Sequence, residues 1–350
     1  MLIKWLHNSG APKMFAWLAD SLATEGHDVM VYTYQDCEGK SVALSNKVHH
    51  VHELLADDGF LGKVKHIRRA MKSFDADVSI SFLLDANVYN TFACLKLRTK
   101  SVICERNDPF KPRYYKLKFW KPWFRLADGA VFQLPKVADY YSNIKGSTAI
   151  IPNPVRKPVA YADLPFQERD DVVVTVGRID LEQKRHDVLV SAFAKFHLLH
   201  PSYKLLIYGG GDSADTEKLS GLVAQLNMQE YVSLEGSVEN PLEKICHAKF
   251  FVLSSDFEGI PNALVEAMSM GLPCISTDCR PGGAALLIEH GKNGLLVSMG
   301  DSDSLCQEME HLANSPEFAD SIGREARNIV NTFSEAKVVS AWNQFIEKIR

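Results

Sequence analysis

Glu258-Gly259-Ile260-Pro261-Asn262-Ala263-Leu264-Val265-Glu266 follows the apolar run Phe250 to Leu253, which reads as a buried strand ending at Ser254-Ser255. Pro261 stands where a helix would begin, and Gly271 and Pro273 close that helix early. The expected unit is a strand, a turn and a short helix. A helix N-terminus offers unpaired N–H groups and a partial positive charge to an anion. Glu258 stands in the turn and Glu266 a turn or so into the helix. Two carboxylates beside an anion-binding helix end suit a ligand with both phosphate and many hydroxyls, such as a nucleotide sugar.

Outward from this unit, apolar strand-like runs alternate with helical patterns almost throughout, the mark of an α/β protein with mostly parallel sheets. In the first half, strands are expected near Leu2–Leu6, Asp28–Thr33, Val78–Phe82, Ser101–Cys104 and Gly129–Phe132. A helix over roughly Lys13–Glu25 ends at Gly26. Prolines 152, 154, 158 and 165 crowd one stretch and mark a linker. The pattern restarts at Val172–Val176 and continues with Lys204–Tyr208, Val232–Leu234, Phe250–Leu253, Cys274–Thr277 and Leu295–Val297. The final segment has an apolar stripe of Val338, Val339, Trp342, Phe345 and Ile349, so it is an amphipathic helix. Two domains are therefore expected, residues 1–155 and 166–334, with helix 335–350 returning to the first.

The 350 residues are enough for two such domains, and 46% hydrophobic with 23% charged residues is an ordinary globular composition. The start of the chain is too short an apolar run for a signal peptide, and no window reaches a membrane span. Seven scattered cysteines without a CxxC pair favour neither zinc nor a disulfide framework, and fit a reduced cytoplasmic setting. The net charge of -4 hides an asymmetry. Residues 1–160 hold 23 Lys+Arg against 15 Asp+Glu, and residues 161–350 hold 16 against 28. The acidic second half argues against extended nucleic-acid binding.

Val176-Gly177-Arg178 ends a strand and Lys184-Arg185 follows, so Arg178 and Lys184 can converge and neutralise a diphosphate leaving group without a metal. The alternative is a pair of solvated surface charges. Gly209-Gly210-Gly211 comes at the next strand end, where glycines let a base and ribose approach the backbone. These pieces, with Glu235-Gly236, the Glu258–Glu266 pair, Asp278-Cys279-Arg280-Pro281-Gly282-Gly283 and Asn293-Gly294-Leu295-Leu296-Val297, stand in the order seen in retaining glycosyltransferases of family 4. The first half resembles the same family more thinly, through Asn8-Ser9-Gly10, Ile80-Ser81-Phe82, Glu105 to Pro109 and Ile151 to Pro154. The chain is similar to bacterial members that build surface polysaccharides and lipid-linked oligosaccharides.

The resemblance implies a GT-B fold: two Rossmann-like domains facing across a cleft, the first binding acceptor and the second a nucleoside diphosphate sugar, UDP-linked by preference. It implies transfer of a hexose or N-acetylhexosamine to a lipid-linked or membrane-proximal saccharide, with no cofactor or metal. Arg178 and Lys184 would hold the diphosphate, and Glu258 the sugar hydroxyls. Backbone N–H groups from Gly259, Ile260, Pro261's successor Asn262 and Ala263 would hold sugar and phosphate, and Glu266 the ribose. Val238 would lie near the base, and Gly10 would let the first loop close over the diphosphate. Two positions depart from the family pattern. Arg106 stands where many members have a histidine near the reacting carbon, so its part would be electrostatic or in substrate positioning. Lys13 stands in for an arginine of the first loop. Alanine at Glu258 or Lys184 is expected to abolish transfer and leave the fold intact. Rival readings are a non-catalytic scaffold of the same fold, or an epimerase or phosphorylase.

Between Asp108 and Asp128 there is no acid, and Lys111, Arg113, Lys116, Lys118, Lys121 and Arg125 interleave with Tyr114, Tyr115, Phe119, Trp120, Trp123 and Phe124. Lys116, Lys118, Trp120, Lys121 and Trp123 suit an anionic membrane surface; the alternative is a helix with its aromatics in the core. Lys63, Lys65, Arg68, Arg69 and Lys72 form a second basic run. His49-His50-Val51-His52 has the density of a metal site, but its alternation reads as the polar face of an edge strand. Asp75-Ala76-Asp77 and Asp301-Ser302-Asp303 match a metal-binding pattern, the second more simply as a helix cap.

Overall fold

A computed structural model describes the chain except for residues 9, 37–40, 107–108, 111–114, 156–163 and 239. It divides into two compact units, Met1–Asn153 with Glu335–Arg350, and Pro154–Ser334. Each is a parallel sheet between helices.

The first sheet contains β1 (Leu2–Ile3), β2 (Val29–Thr33), β3 (Val48–His52), β4 (Val78–Phe82), β5 (Lys100–Cys104), β6 (Gly129–Phe132) and β7 (Ser147–Ile150). Their order is β3-β2-β1-β4-β5-β6-β7, every pairing parallel. The histidine-rich run is indeed the edge strand β3. β7 escapes a sequence reading because its residues alternate half-buried and exposed over only four positions. The core joins Ile3, Val31, Ile80, Val102 and Val131 to Phe15 and Leu18 of helix Gly10–Thr24. The closing helix Glu335–Ile349 adds Val338, Trp342, Phe345 and Ile346 to that same core. Gly129 makes room for it: a Cβ there would fall 2.3 Å from Cδ1 of Ile349.

The second sheet contains β8 (Asp170–Val176), β9 (Lys204–Tyr208), β10 (Val232–Gly236), β11 (Ala248–Leu253), β12 (Cys274–Thr277) and β13 (Leu295–Val297). Their order is β10-β9-β8-β11-β12-β13, again parallel. β11 is buried at all six positions, as a central strand covered on both faces must be. Within each sheet the order reverses once, between β1 and β4 and between β8 and β11. Ligands of open parallel sheets bind outside the carboxyl ends of the strands at such reversals.

Candidate functional site

β8 runs into Gly177-Arg178 and β11 into Ser254-Ser255, so the reversal of the second sheet carries both motifs first seen as separate runs. Their loops are stitched together. Asp256 N donates to Gln183 O at 2.9 Å, Gln183 Nε2 to Phe257 O at 3.2 Å, and Ser254 Oγ to Lys184 O at 2.8 Å. Arg185, held at φ 50°, spans the gap with a 2.8 Å ion pair to Asp256 and a 3.1 Å pair to Asp187. The Asp187 and Asp256 carboxylates raise the Arg185 pKa above its ordinary value, against the effect of burial. This anchor is not evident from sequence, because Arg185 and Asp256 lie 71 residues apart.

Those stitches bring Lys184 Nζ to 2.5 Å from Glu258 Oε1, with the two side chains only 17% and 11% exposed. Ser255 Oγ donates to the same carboxylate oxygen at 3.0 Å, and Thr277 Oγ1 donates to Ser255 O behind it. The lysine passes over Gly177, where a Cβ would come within 3.2 Å of its Cε. Arg178 does not join it. Its guanidinium donates to Asp180 Oδ2 at 2.8 Å and its side chain is 66% exposed. The expected convergence of two cations is therefore a buried Lys184–Glu258 pair beside a surface Arg178–Asp180 pair.

The helix after the turn runs Asn262–Ser269, with Pro261 as an extended cap residue that makes no side-chain cap. Its first N–H groups are thus open to a ligand. Glu258 N donates to Arg280 O at 2.7 Å, tying the turn to the loop after β12. Gly283 lets that loop pass: a Cβ there would stand 1.6 Å from Gly259 O. Ile260 is buried, Gly259 and Ala263 are half-buried and Asn262 is exposed, while Glu266 is half-buried on the second turn. Val238, half-buried, follows β10.

The glycine turn 209–211 also has a basis within the chain itself. A Cβ at Gly209 would lie 1.9 Å from Gly177 O, and one at Gly211 2.5 Å from Ile179 O. These glycines let two stretches of this chain approach each other, and Ile179 N donates to Gly210 O at 2.8 Å to seal them. Gly210 would meet only the Ser237 hydroxyl, at 2.7 Å.

In the first unit, Gly10 is not in a loop. It opens helix Gly10–Thr24, three residues ahead of the expected start, with Pro12 in the first turn where its missing N–H costs nothing. Gly10 and Lys13 are exposed there. Arg106 follows β5, and its NH1 donates to Asn153 Oδ1 at 3.2 Å while the guanidinium sits 4.2 Å over the Phe82 ring. Its buried Nε has no hydrogen-bond partner among the described residues. Burial lowers the Arg106 pKa, opposed by Cys104 and Glu105. The neighbouring Glu105 is 2% exposed and accepts from Tyr141 OH at 3.1 Å.

The basic aromatic segment splits. Trp120 turns inward, stacked on Phe60 at 5.5 Å and 18° and edge-on to Phe92, and Lys121 lies 3.8 Å over the Tyr140 ring. Both are half-buried, Trp120 because its indole covers apolar area on Phe60 and Phe92. Lys116, Lys118 and Arg125 are exposed, and so are Phe119 at 66%, Trp123 at 43% and Leu61 at 79%. Lys111, Arg113 and Tyr114 lie outside the described residues. Asp301 caps helix Ser302–Asn314 by accepting from Asp303 N and Ser304 N, as its sequence position implies.

Residues 170–315 match the family model described as glycosyl transferases group 1. The whole chain aligns at 26% identity with 98% of a Campylobacter jejuni α-1,4-N-acetyl-D-galactosaminyltransferase named for a diNAcBac-PP-undecaprenol substrate. Among solved structures, 99% of the chain superposes on 96% of sucrose-phosphate synthase from Thermosynechococcus elongatus, with a TM-score of 0.82 at 19% identity. It likewise covers 98% of Anabaena HepE in complex with UDP, with a TM-score of 0.81 at 17% identity. The chain is a glycosyltransferase of the GT-B fold, and its match to glycosyl transferases group 1 spans residues 170–315.

Proposed function

We propose that the chain is a retaining transferase that moves a hexose or N-acetylhexosamine from a UDP-sugar to a lipid-linked saccharide at the cytoplasmic face of a membrane. The observation that carries this reading is the buried Lys184–Glu258 pair, set at the reversal of the second sheet beside an uncapped helix start. Such a site meets a diphosphate with one buried ammonium and several N–H groups, and meets sugar hydroxyls with a carboxylate. Arg178 joins by leaving Asp180, an exposed pair worth only about 0–1 kcal/mol. Glu266 holds the ribose hydroxyls and Val238 the base. As the sugar C1–O bond to phosphate breaks, the acceptor oxygen bonds to C1 from the same face, and its proton passes to the departing phosphate. Arg106 contributes charge rather than a proton. The relative that acts on an undecaprenol-linked saccharide and the neighbour that binds UDP support this choice of acceptor and donor.

A thermal-shift screen of UDP- and GDP-sugars tests the donor. One UDP-sugar is expected to raise the melting temperature, since ligand at about 100 Kd adds about 2.7 kcal/mol. A GDP-sugar shifting the curve in its place would reassign the donor.

Membrane docking rests on the exposed Phe119, Trp123 and Leu61 among Lys116, Lys118 and Arg125. Changing Phe119 and Trp123 together to alanine is expected to cut flotation with anionic vesicles several-fold, with a small loss of melting temperature from their ring contacts to Trp120 and Phe92. Trp120→Ala is expected to keep flotation and to destabilise more, by roughly 2–3 kcal/mol, through the lost Phe60 stack. Equal flotation of the double variant and the parent would retire the surface. No helix among the described residues is long and apolar enough to cross a membrane.

A further inference from the structure

Two histidines of the edge strand β3, His50 and His52, line a cavity of about 290 Å³ outside the carboxyl ends of the strands. Ligand sites commonly measure ~300–1,000 Å³, so this one is of a size for a single small ring. Its wall is built rather than incidental. Residues 6–7, just after β1, and the segment 41–42 pair across it, through an antiparallel bridge between His7 and Ser41 and a 2.7 Å bond from Val42 N to Leu6 O. Leu6, Val42 and Leu44 give the cavity an apolar side, and Thr33, Gln35, Asp36, His50 and His52 a polar one.

The polar side is wired. His50 and His52 share a face of β3, and Thr33 Oγ1, on a residue 2% exposed, lies 3.0 Å from His50 Nε2 and 2.9 Å from His52 Nδ1. His52 Nε2 lies 3.1 Å from Asp36 Oδ1. A carboxylate only accepts, so neutral His52 carries its proton on Nε2. Its Nδ1 then accepts the Thr33 hydroxyl proton, and the Thr33 oxygen accepts from His50 Nε2–H. The chain of bonds ends with His50 Nδ1 as an acceptor. Burial, above all, lowers the His50 pKa, which favours its neutral form. The set therefore offers acceptors to hydroxyl protons, an amide from Gln35, and an apolar side for ring C–H groups. No Lys or Arg stands among the described lining residues, so an anionic ligand would meet Asp36 without a counter-charge.

We propose that this cavity binds one neutral sugar ring, the acceptor's saccharide. The name of the ligand, though not the site, rests on the transfer reading above. Histidine side-chain ¹H–¹⁵N spectra, assigned with His50→Gln and His52→Gln, test it without any donor. Neutral methyl glycosides of glucose and N-acetylgalactosamine are expected to move the His50 and His52 signals, and methyl glucuronoside to leave them in place. Thr33→Val, close in shape, is expected to weaken the glycoside by about tenfold and to raise acceptor KM by a similar factor without changing donor KM. Asp36→Asn, at an exposed side chain, gives the same direction with no cost to folding. Failure of every neutral glycoside to move the two signals, or equal movement by the glucuronoside, overturns the site. Failure of the UDP-sugar screen would leave it standing, because the two readouts share no ligand.

Discussion

Lys184→Ala is expected to reduce transfer by about a hundred- to thousandfold and to destabilise the protein by about 3–5 kcal/mol. The two losses have separate causes. Lys184 and Glu258 are 2.5 Å apart and largely out of water, so removing either leaves an uncompensated buried charge. Ser255 donates one hydrogen bond to the stranded carboxylate, which offsets only part of that cost. The sequence alone puts both residues at a ligand site and expects alanine to be harmless to the fold; the buried pair revises that. Lys184→Met combined with Glu258→Gln separates the effects, since it removes both charges at similar volume. Denaturant unfolding of the double variant should return close to the parent midpoint, while turnover stays at the level of Lys184→Ala. Recovery of turnover in the double variant would mean that neither charge serves the reaction. A single variant as stable as the parent would mean that water already screens the pair.

The second large effect concerns a residue that touches no expected ligand. Gly283 opens the short helix Gly283–Leu287, where alanine would ordinarily be favoured by roughly 0.5–1 kcal/mol. Here the added Cβ would fall 1.6 Å from Gly259 O and 3.2 Å from Pro261 Cδ. The obstacle is backbone, which cannot swing aside, so overpacking of ~1–3 kcal/mol or more wins over propensity. Relief requires moving Gly259 to Pro261, the approach to the uncapped helix. Gly283→Ala should therefore lower stability and donor affinity together. Gly221→Ala is the control: it lies in helix Ser213–Gln225 with nothing within 4 Å of its Cβ, and should be neutral or slightly stabilising. Similar unfolding midpoints for the two variants would show that the 259–261 turn yields without cost.

Strand positions were largely legible because these sheets bury both faces, which writes continuous apolar runs such as Phe250–Leu253 into the sequence. β7 and the early start of helix Gly10–Thr24 were not, the first for want of apolar contrast and the second because Gly10 and Pro12, both poor helix formers, occupy its first turn. At the site, residue types were readable and partners were not. Glu258 meets Lys184 across 74 residues only because β8 and β11 are neighbours, a fact of sheet order that no local period records. The same holds for Arg185 with Asp256. Trp120 shows the converse limit: its basic surroundings suggest a surface role, and contacts with Phe60 and Phe92, distant in sequence, half-bury it.

Helix Glu335–Ile349 has a consequence for how this chain comes to be folded. The second unit is one unbroken segment, Pro154–Ser334, and holds all its core before that helix is made. The first unit lacks Trp342, Phe345 and Ile346 from its core until the ribosome has passed residue 346. Domains commonly fold in the order of synthesis. In this chain the order is inverted: the part begun first is completed last, by contacts that span more than 300 residues, such as Trp17 with Glu335.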